Sequence, residues 1–119
     1  MANEPTFPGN SFELYQKVIA THDDFDIKGK NNPYTSHNGH MFTFLDKEGK
    51  MSIRFSPEDL CTFMEKHDAK PSIQYGSTMH GYAVVPDRLF EDTVTLGRYL
   101  VRSFDYIKTL KPKESKKKK

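Results

Sequence analysis

The groups best suited to chemistry are concentrated in one polar stretch, Tyr34–His40, which reads Y-T-S-H-N-G-H. Hydroxyls, an amide and imidazoles are groups that orient small ligands, and a neighbouring strand adds the cation of Arg54. The same residue types also favour a well hydrogen-bonded turn, so pocket and turn both stay open. A binding site in this region would use Tyr34, Ser36, His40, Arg54 and Tyr82.

Metal and nucleophilic chemistry are weakly supported by the residue spacing. A protein metal site needs three or four convergent ligands, whereas His37 and His40 have no cysteine or carboxylate near them in sequence. Cys61, the single cysteine, is expected to be a small buried apolar residue. The paired acids fall at predicted helix ends, where they offset the helix dipole. We therefore predict no catalytic residue, no metal and no cofactor.

Charge divides the chain into two unequal parts. Residues 111–119 carry a net charge of +5, whereas residues 1–110 carry −3. A short oligolysine binds nucleic acid weakly and without sequence preference, and no aromatic residue interleaves it for base stacking. The alternative is a solvated tail. Phosphate contacts would come from Lys113, Lys116, Lys117, Lys118 and Lys119.

Several classes of protein are disfavoured by composition. The length of 119 residues suits one domain, and no apolar run is long enough to span a membrane. The first residues lack the basic and apolar segments of a signal peptide. A single cysteine cannot form an internal disulfide. We therefore expect a cytoplasmic protein with no membrane contact.

Local patterns in the first half predict a helix followed by strands. Apolar residues at helical spacing indicate a helix over 11–22, and residues 25–28 form a possible first strand. Residues 29–39 are rich in turn formers. Strands over Met41–Leu45 and Lys50–Phe55 flank D-K-E-G, a sequence typical of a β-hairpin.

The second half is predicted to continue with a helix, strands and a final helix. Ser56 and Pro57 are typical of a helix start, and residues 73–85 contain one interrupted strand or two short ones. The last helix opens at Asp92 or Thr93, and Gly97 within it suggests that another element approaches closely.

These elements predict an α+β fold: an antiparallel sheet of about 4–5 strands, with helices packed on one face and helices at the N- and C-terminal ends. The domain is expected over residues 10–110, between a flexible arm (1–9) and a disordered Lys-rich tail (111–119).

Three blocks of sequence resemble the N-terminal domain of TfoX/Sxy-type proteins. They are Y-T-S-H-N-G-H-M-F-T-F at 34–44, G-Y-A-V-V-P-D-R-L at 81–89 and S-F-D-Y-I-K-T-L-K-P-K at 103–113. MmcQ/YjbR-like domains share a similar plan. The resemblance implies a small α+β domain and, for the named bacterial members, a regulatory role beside a transcription activator. It implies no catalytic residues. The matching positions, which support the fold rather than a site, are Gly39, Met41, Phe42, Gly49, Tyr82 and Pro86.

Three functional hypotheses follow. The first is a non-enzymatic regulatory or protein-interaction module, with a protein partner or self-association. The second is a nucleic-acid-associated regulator that uses the lysine tail. The third is a small-molecule binder or enzyme that uses the 34–40 cluster.

Overall fold

A computed structural model describes residues 9–23, 25–29, 33–74 and 76–111. Five strands form one antiparallel sheet in the order β1-β2-β3-β5-β4. The longest helix, α4, lies across β1, β2 and β3, and α1 packs beside it. This arrangement confirms the predicted α+β fold. The elements are α1 (Ser11–Ile19), β1 (Tyr34–His37), β2 (His40–Leu45), β3 (Met51–Arg54), α2 (Pro57–His67), β4 (Pro71–Gln74), β5 (Ser77–Val84), α3 (Asp87–Glu91) and α4 (Thr93–Lys108).

Two tight turns fix the register of the first three strands. Asn38 and Gly39 both have positive φ, 54° and 82°, which is the backbone of a two-residue hairpin turn. In the next turn, Asp46 Oδ1 accepts hydrogen bonds from the amides of Glu48 and Lys50 at 2.9 and 3.0 Å. The predicted D-K-E-G hairpin is therefore confirmed.

Several predicted boundaries are wrong. The expected turn over 29–39 instead contributes β1, because Tyr34–His37 finds backbone partners in β2. The expected strand over 25–28 is reduced to a single bridge from Lys28 to Tyr34. The first helix ends at Ile19 instead of residue 22, and α3 was not predicted. By contrast, the start of α2 is confirmed, since Ser56 accepts a hydrogen bond from the amide of Asp59.

The strand β4 does not continue the sheet as a flat edge. The hydroxyl of Ser52, on β3, donates to the hydroxyl of Ser72, on β4, at 2.9 Å. Because β5 lies between these strands, a flat sheet would hold them roughly 9–10 Å apart. The register between β4 and β5 shifts between Pro71 and Ile73, and Gly81 adopts a φ of 89° in β5. The β4–β5 hairpin therefore curls back over the face of the sheet opposite the helices.

The core lies between the sheet and the helices. It combines apolar residues of α4 with aromatic rings from the strands and from the segment after α1. A short chain of buried hydroxyls crosses it: Thr43 contacts Tyr15 at 2.8 Å and Thr35 at 2.7 Å. Both hydrogen bonds satisfy groups that burial would otherwise penalise.

Gly97 allows α4 to approach the end of α1, as its position in the helix predicted. A Cβ at Gly97 would lie 2.7 Å from Thr21 Oγ1 and 3.1 Å from Thr21 Cβ. Thr21 Oγ1 is held in place because it donates to the carbonyl of Val18 at 2.6 Å. The contact therefore leaves little room for adjustment.

Gly97→Ala is expected to lower the free energy of unfolding by up to about 2 kcal/mol. Alanine gains about 1 kcal/mol of helix propensity, but overpacking costs about 1–3 kcal/mol. Urea unfolding measures the difference, and the substitution should cost less in a Thr21→Ala background, where Oγ1 and Cγ2 are absent. A Gly97→Ala protein more stable than the parent would contradict the close approach.

Candidate functional site

The pairing of the strands places four of the five predicted binding residues on one face of the sheet. Thr35 and His37 face the helices, since Thr35 bonds Thr43 and the His37 ring lies 4.9 Å from the ring of Phe104. Side chains alternate along a strand, so Tyr34 and Ser36 face the opposite way. The same alternation, applied to β3 and β5, puts Arg54 and Tyr82 on that opposite face as well.

Arg54 and Tyr82 form the best-defined part of this arrangement. They are direct cross-strand partners, and the charge of Arg54 lies close enough to act on the pKa of the Tyr82 phenol. That hydroxyl donates to the carbonyl of Met41 at 2.6 Å, so the phenol links three strands. The guanidinium carbon of Arg54 also lies 5.9 Å from the centre of the Tyr106 ring. The guanidinium is thus held between two aromatic side chains.

Burial sets the protonation state of Tyr82. Removal from water raises the pKa of the phenol, whereas the charge of Arg54 acts in the opposite direction. The phenol is therefore neutral at neutral pH, and an arginine stays protonated. Neither group is a general base under these conditions, so the pair is suited to binding rather than to proton abstraction.

A second cation extends the arrangement toward β1. The ammonium of Lys28 donates to the hydroxyl of Ser36 at 2.9 Å, and the backbone of Lys28 bridges Tyr34. Within the described parts of the chain, neither Lys28 nor Arg54 forms an ion pair. We call this surface the basic sheet face; its residues are Lys28, Tyr34, Ser36, Arg54 and Tyr82.

The structure does not bring His40 together with the other predicted residues. His40 is the cross-strand partner of His37 and therefore faces the helices. Its Nε2 lies 2.7 Å from the carbonyl oxygen of Lys111, just beyond the end of α4. His40 thus anchors the backbone at Lys111, the last described residue. The predicted nucleic-acid contacts, Lys113, Lys116, Lys117, Lys118 and Lys119, lie outside the described residues.

Of two other reactive side chains, one differs from its sequence-based interpretation. Cys61 is exposed rather than buried, and its Sγ lies 4.0 Å from Glu65 Oε2. His67 lies in the last turn of α2, where an imidazole offsets the helix dipole, and its Nε2 lies 2.7 Å from the hydroxyl of Tyr99. The sequence does not predict the contact between His67 and Tyr99, because the two residues lie on different helices, α2 and α4, and meet only in the tertiary fold. Among the described residues, no three His, Cys, Asp or Glu side chains converge as a metal site would require.

In comparisons with known proteins, no family model, no curated protein and no solved structure matches the chain. The resemblance to TfoX-type and MmcQ/YjbR-like domains therefore stays a prediction from the sequence. None of the helices in the described ranges has the length and apolar character needed to cross a membrane.

Proposed function

We propose that the chain is a non-enzymatic binding domain, which recognises a carboxylate-bearing segment of a protein partner through the basic sheet face. The observation that carries the proposal is the half-buried side chain of Arg54, which lies beside Tyr82 and Tyr106 and has no carboxylate partner among the described residues. The sequence resemblance implies a small α+β domain without agreed catalytic residues, which is compatible with a binding role.

The chemistry of Arg54 favours carboxylates over other partners. Its planar fork can donate two parallel hydrogen bonds to one carboxylate, and a partly desolvated site strengthens such charge-assisted bonds. Residues 1–110 carry a net negative charge, so an acidic segment is repelled by most of the domain. Binding is therefore directed to the basic sheet face.

Arg54→Gln is expected to weaken the binding of an oligoglutamate peptide about tenfold, since a charge-assisted bidentate contact is lost. NMR titration of the full chain with the peptide measures this change. Arg54→Lys should retain part of the affinity, because it keeps the charge without the planar fork. The matched control is Arg98→Gln, which removes an exposed arginine from α4.

Equal peptide affinity of the parent and Arg54→Gln proteins, with both folded, would rule out the basic sheet face as the binding surface. Amide shifts confined to α1 would have the same consequence, since α1 packs beside α4 on the other face of the sheet. Shifts near Tyr106 are expected, because its ring lies beside Arg54.

The lysine-rich end supports a second candidate function, non-specific contact with nucleic acid. The bond between His40 and the carbonyl of Lys111 places the start of this segment beside the β1–β2 turn. Removal of residues 111–119 leaves Arg54 unchanged in sequence, so the two functions can be tested separately. Duplex DNA binding that disappears when residues 111–119 are removed, and that falls steeply with salt, would support the second candidate.

A further inference from the structure

A cavity of about 230 Å³ lies where the end of α2 meets α3 and the start of α4. It is unrelated to the basic sheet face. The volume corresponds to roughly seven or eight water molecules and is below the ~300–1,000 Å³ of pockets for drug-sized ligands. Only a small molecule fits. The residues that line it are His67, Pro86, Arg88, Leu89 and Asp92.

His67 forms a rigid wall of this cavity. Its ring packs against the rings of Phe63 and Tyr99, with centroids 5.0 and 5.3 Å away. The hydrogen bond to the Tyr99 hydroxyl occupies Nε2, which leaves Nδ1 as the other polar atom of the ring. Partial burial, together with the charges of Lys66 and Arg88, lowers the pKa of the imidazole, which is neutral at neutral pH.

The two charged residues of the cavity differ in their availability. Asp92 caps α4, since its Oδ1 accepts from the amide of Thr95 at 3.3 Å. The neighbouring acid Asp87 is paired with Lys50 at 3.1 Å. Arg88 forms no ion pair with any described residue. The cavity therefore offers one available cation beside a carboxylate that is already engaged.

The remaining lining is apolar. Leu89 is buried, with 7% of its surface exposed, and Pro86 is half-buried. A ligand with an apolar body would cover the exposed part of Pro86 and contact the edge of Leu89. A hydrophilic ligand such as inorganic phosphate gains nothing from this part of the cavity.

We infer that this cavity binds a small organic monocarboxylate. The carboxylate pairs with the guanidinium of Arg88, the apolar body rests on Leu89 and Pro86, and the neutral imidazole of His67 supplies a hydrogen-bonding edge. Asp92 repels a second negative charge, so dicarboxylates and phosphate are disfavoured. This cavity is separate from Arg54, so binding here and binding at the basic sheet face can be tested independently.

NMR titration of the full chain with benzoate tests the inference. Benzoate is expected to shift the amides of Leu89 and Asp92, and Arg88→Gln is expected to raise its dissociation constant about tenfold or more. Benzamide, which has the same shape without the charge, should bind about tenfold more weakly than benzoate. Phthalate, with its second carboxylate, should also bind more weakly.

The matched control is Arg98→Gln, which removes an arginine of α4 that does not line the cavity. This variant should bind benzoate as the parent does. Equal affinity for benzoate and benzamide would overturn the inference, and so would an Arg88→Gln protein that folds and binds benzoate unchanged. Absence of any shift at these amides at millimolar benzoate would overturn it as well.

Discussion

Phe104→Ala is expected to lower the free energy of unfolding by about 3–5 kcal/mol, the cost of removing a large ring from a packed core. Phe104 is the centre of an aromatic cluster. Its ring centroid lies 4.9 Å from that of His37, 5.2 Å from that of Phe25 and 5.6 Å from that of Phe42. The substitution therefore removes contacts with β1, with β2 and with the segment after α1 at once.

Urea unfolding followed by circular dichroism measures this loss. Phe104→Leu should cost markedly less, because it keeps much of the apolar volume and loses only the ring contacts. Val101→Ala is the control on the same helix, since Val101 is 38% exposed. If Phe104→Ala costs no more than Val101→Ala, the aromatic cluster does not hold α4 to the sheet.

Thr43→Val is expected to cost about 2–3 kcal/mol, although valine has nearly the shape of threonine. The Thr43 hydroxyl is the middle member of the buried chain between Tyr15 and Thr35. Valine leaves both neighbours without this partner in a site where Tyr15 and Thr43 are fully buried. An orphaned buried hydroxyl costs about 1–3 kcal/mol, more than the net gain from the hydrogen bond itself.

Tyr15→Phe is the matched comparison for Thr43→Val. It removes an end of the chain and leaves Thr43 paired with Thr35, so it should cost only about 1 kcal/mol. Burial raises the pKa of Tyr15 far above its ordinary range, so its hydroxyl stays protonated. If Tyr15→Phe lowers the free energy of unfolding as much as Thr43→Val does, the middle hydroxyl contributes no more to stability than the end one.

The parts of the fold that could be predicted are those with local physical causes. Asn38 and Gly39 accept positive φ and so reverse the chain, whereas Ser56 and Pro57 fit the start of a helix. The close approach at Gly97 was also predictable, because glycine inside a helix is costly without a packing reason. Such signals depend on a few neighbouring residues.

The parts that could not be predicted depend on partners distant in sequence. Tyr34–His37 has the composition of a turn and becomes a strand only because β2 pairs with it. The extra residue at Phe42 shifts this register, so Phe42 and Thr43 both face the helices. The curl of β4 likewise depends on a contact between Ser52 and Ser72.

The candidate site shows the same division. The chemistry of Arg54 and of Tyr82 suits each of them to binding, but only the alignment of β3 with β5 makes them neighbours. The imidazole of His40 also suits binding, but its pairing with His37 places it on the helix face of the sheet. The cavity at His67 and Arg88 was missed, because its walls come from three helices and the chain between them.

The position of α4 also determines the order in which the core can close during synthesis. The sheet is complete once β5 has been made, but Phe104 and the rest of α4 are translated later. At bacterial-to-eukaryotic elongation rates, the 16 residues of α4 take about one to three seconds to be added. Until α4 has been made and has docked, the apolar face of the sheet lacks the helix that covers it, so the core cannot close before then.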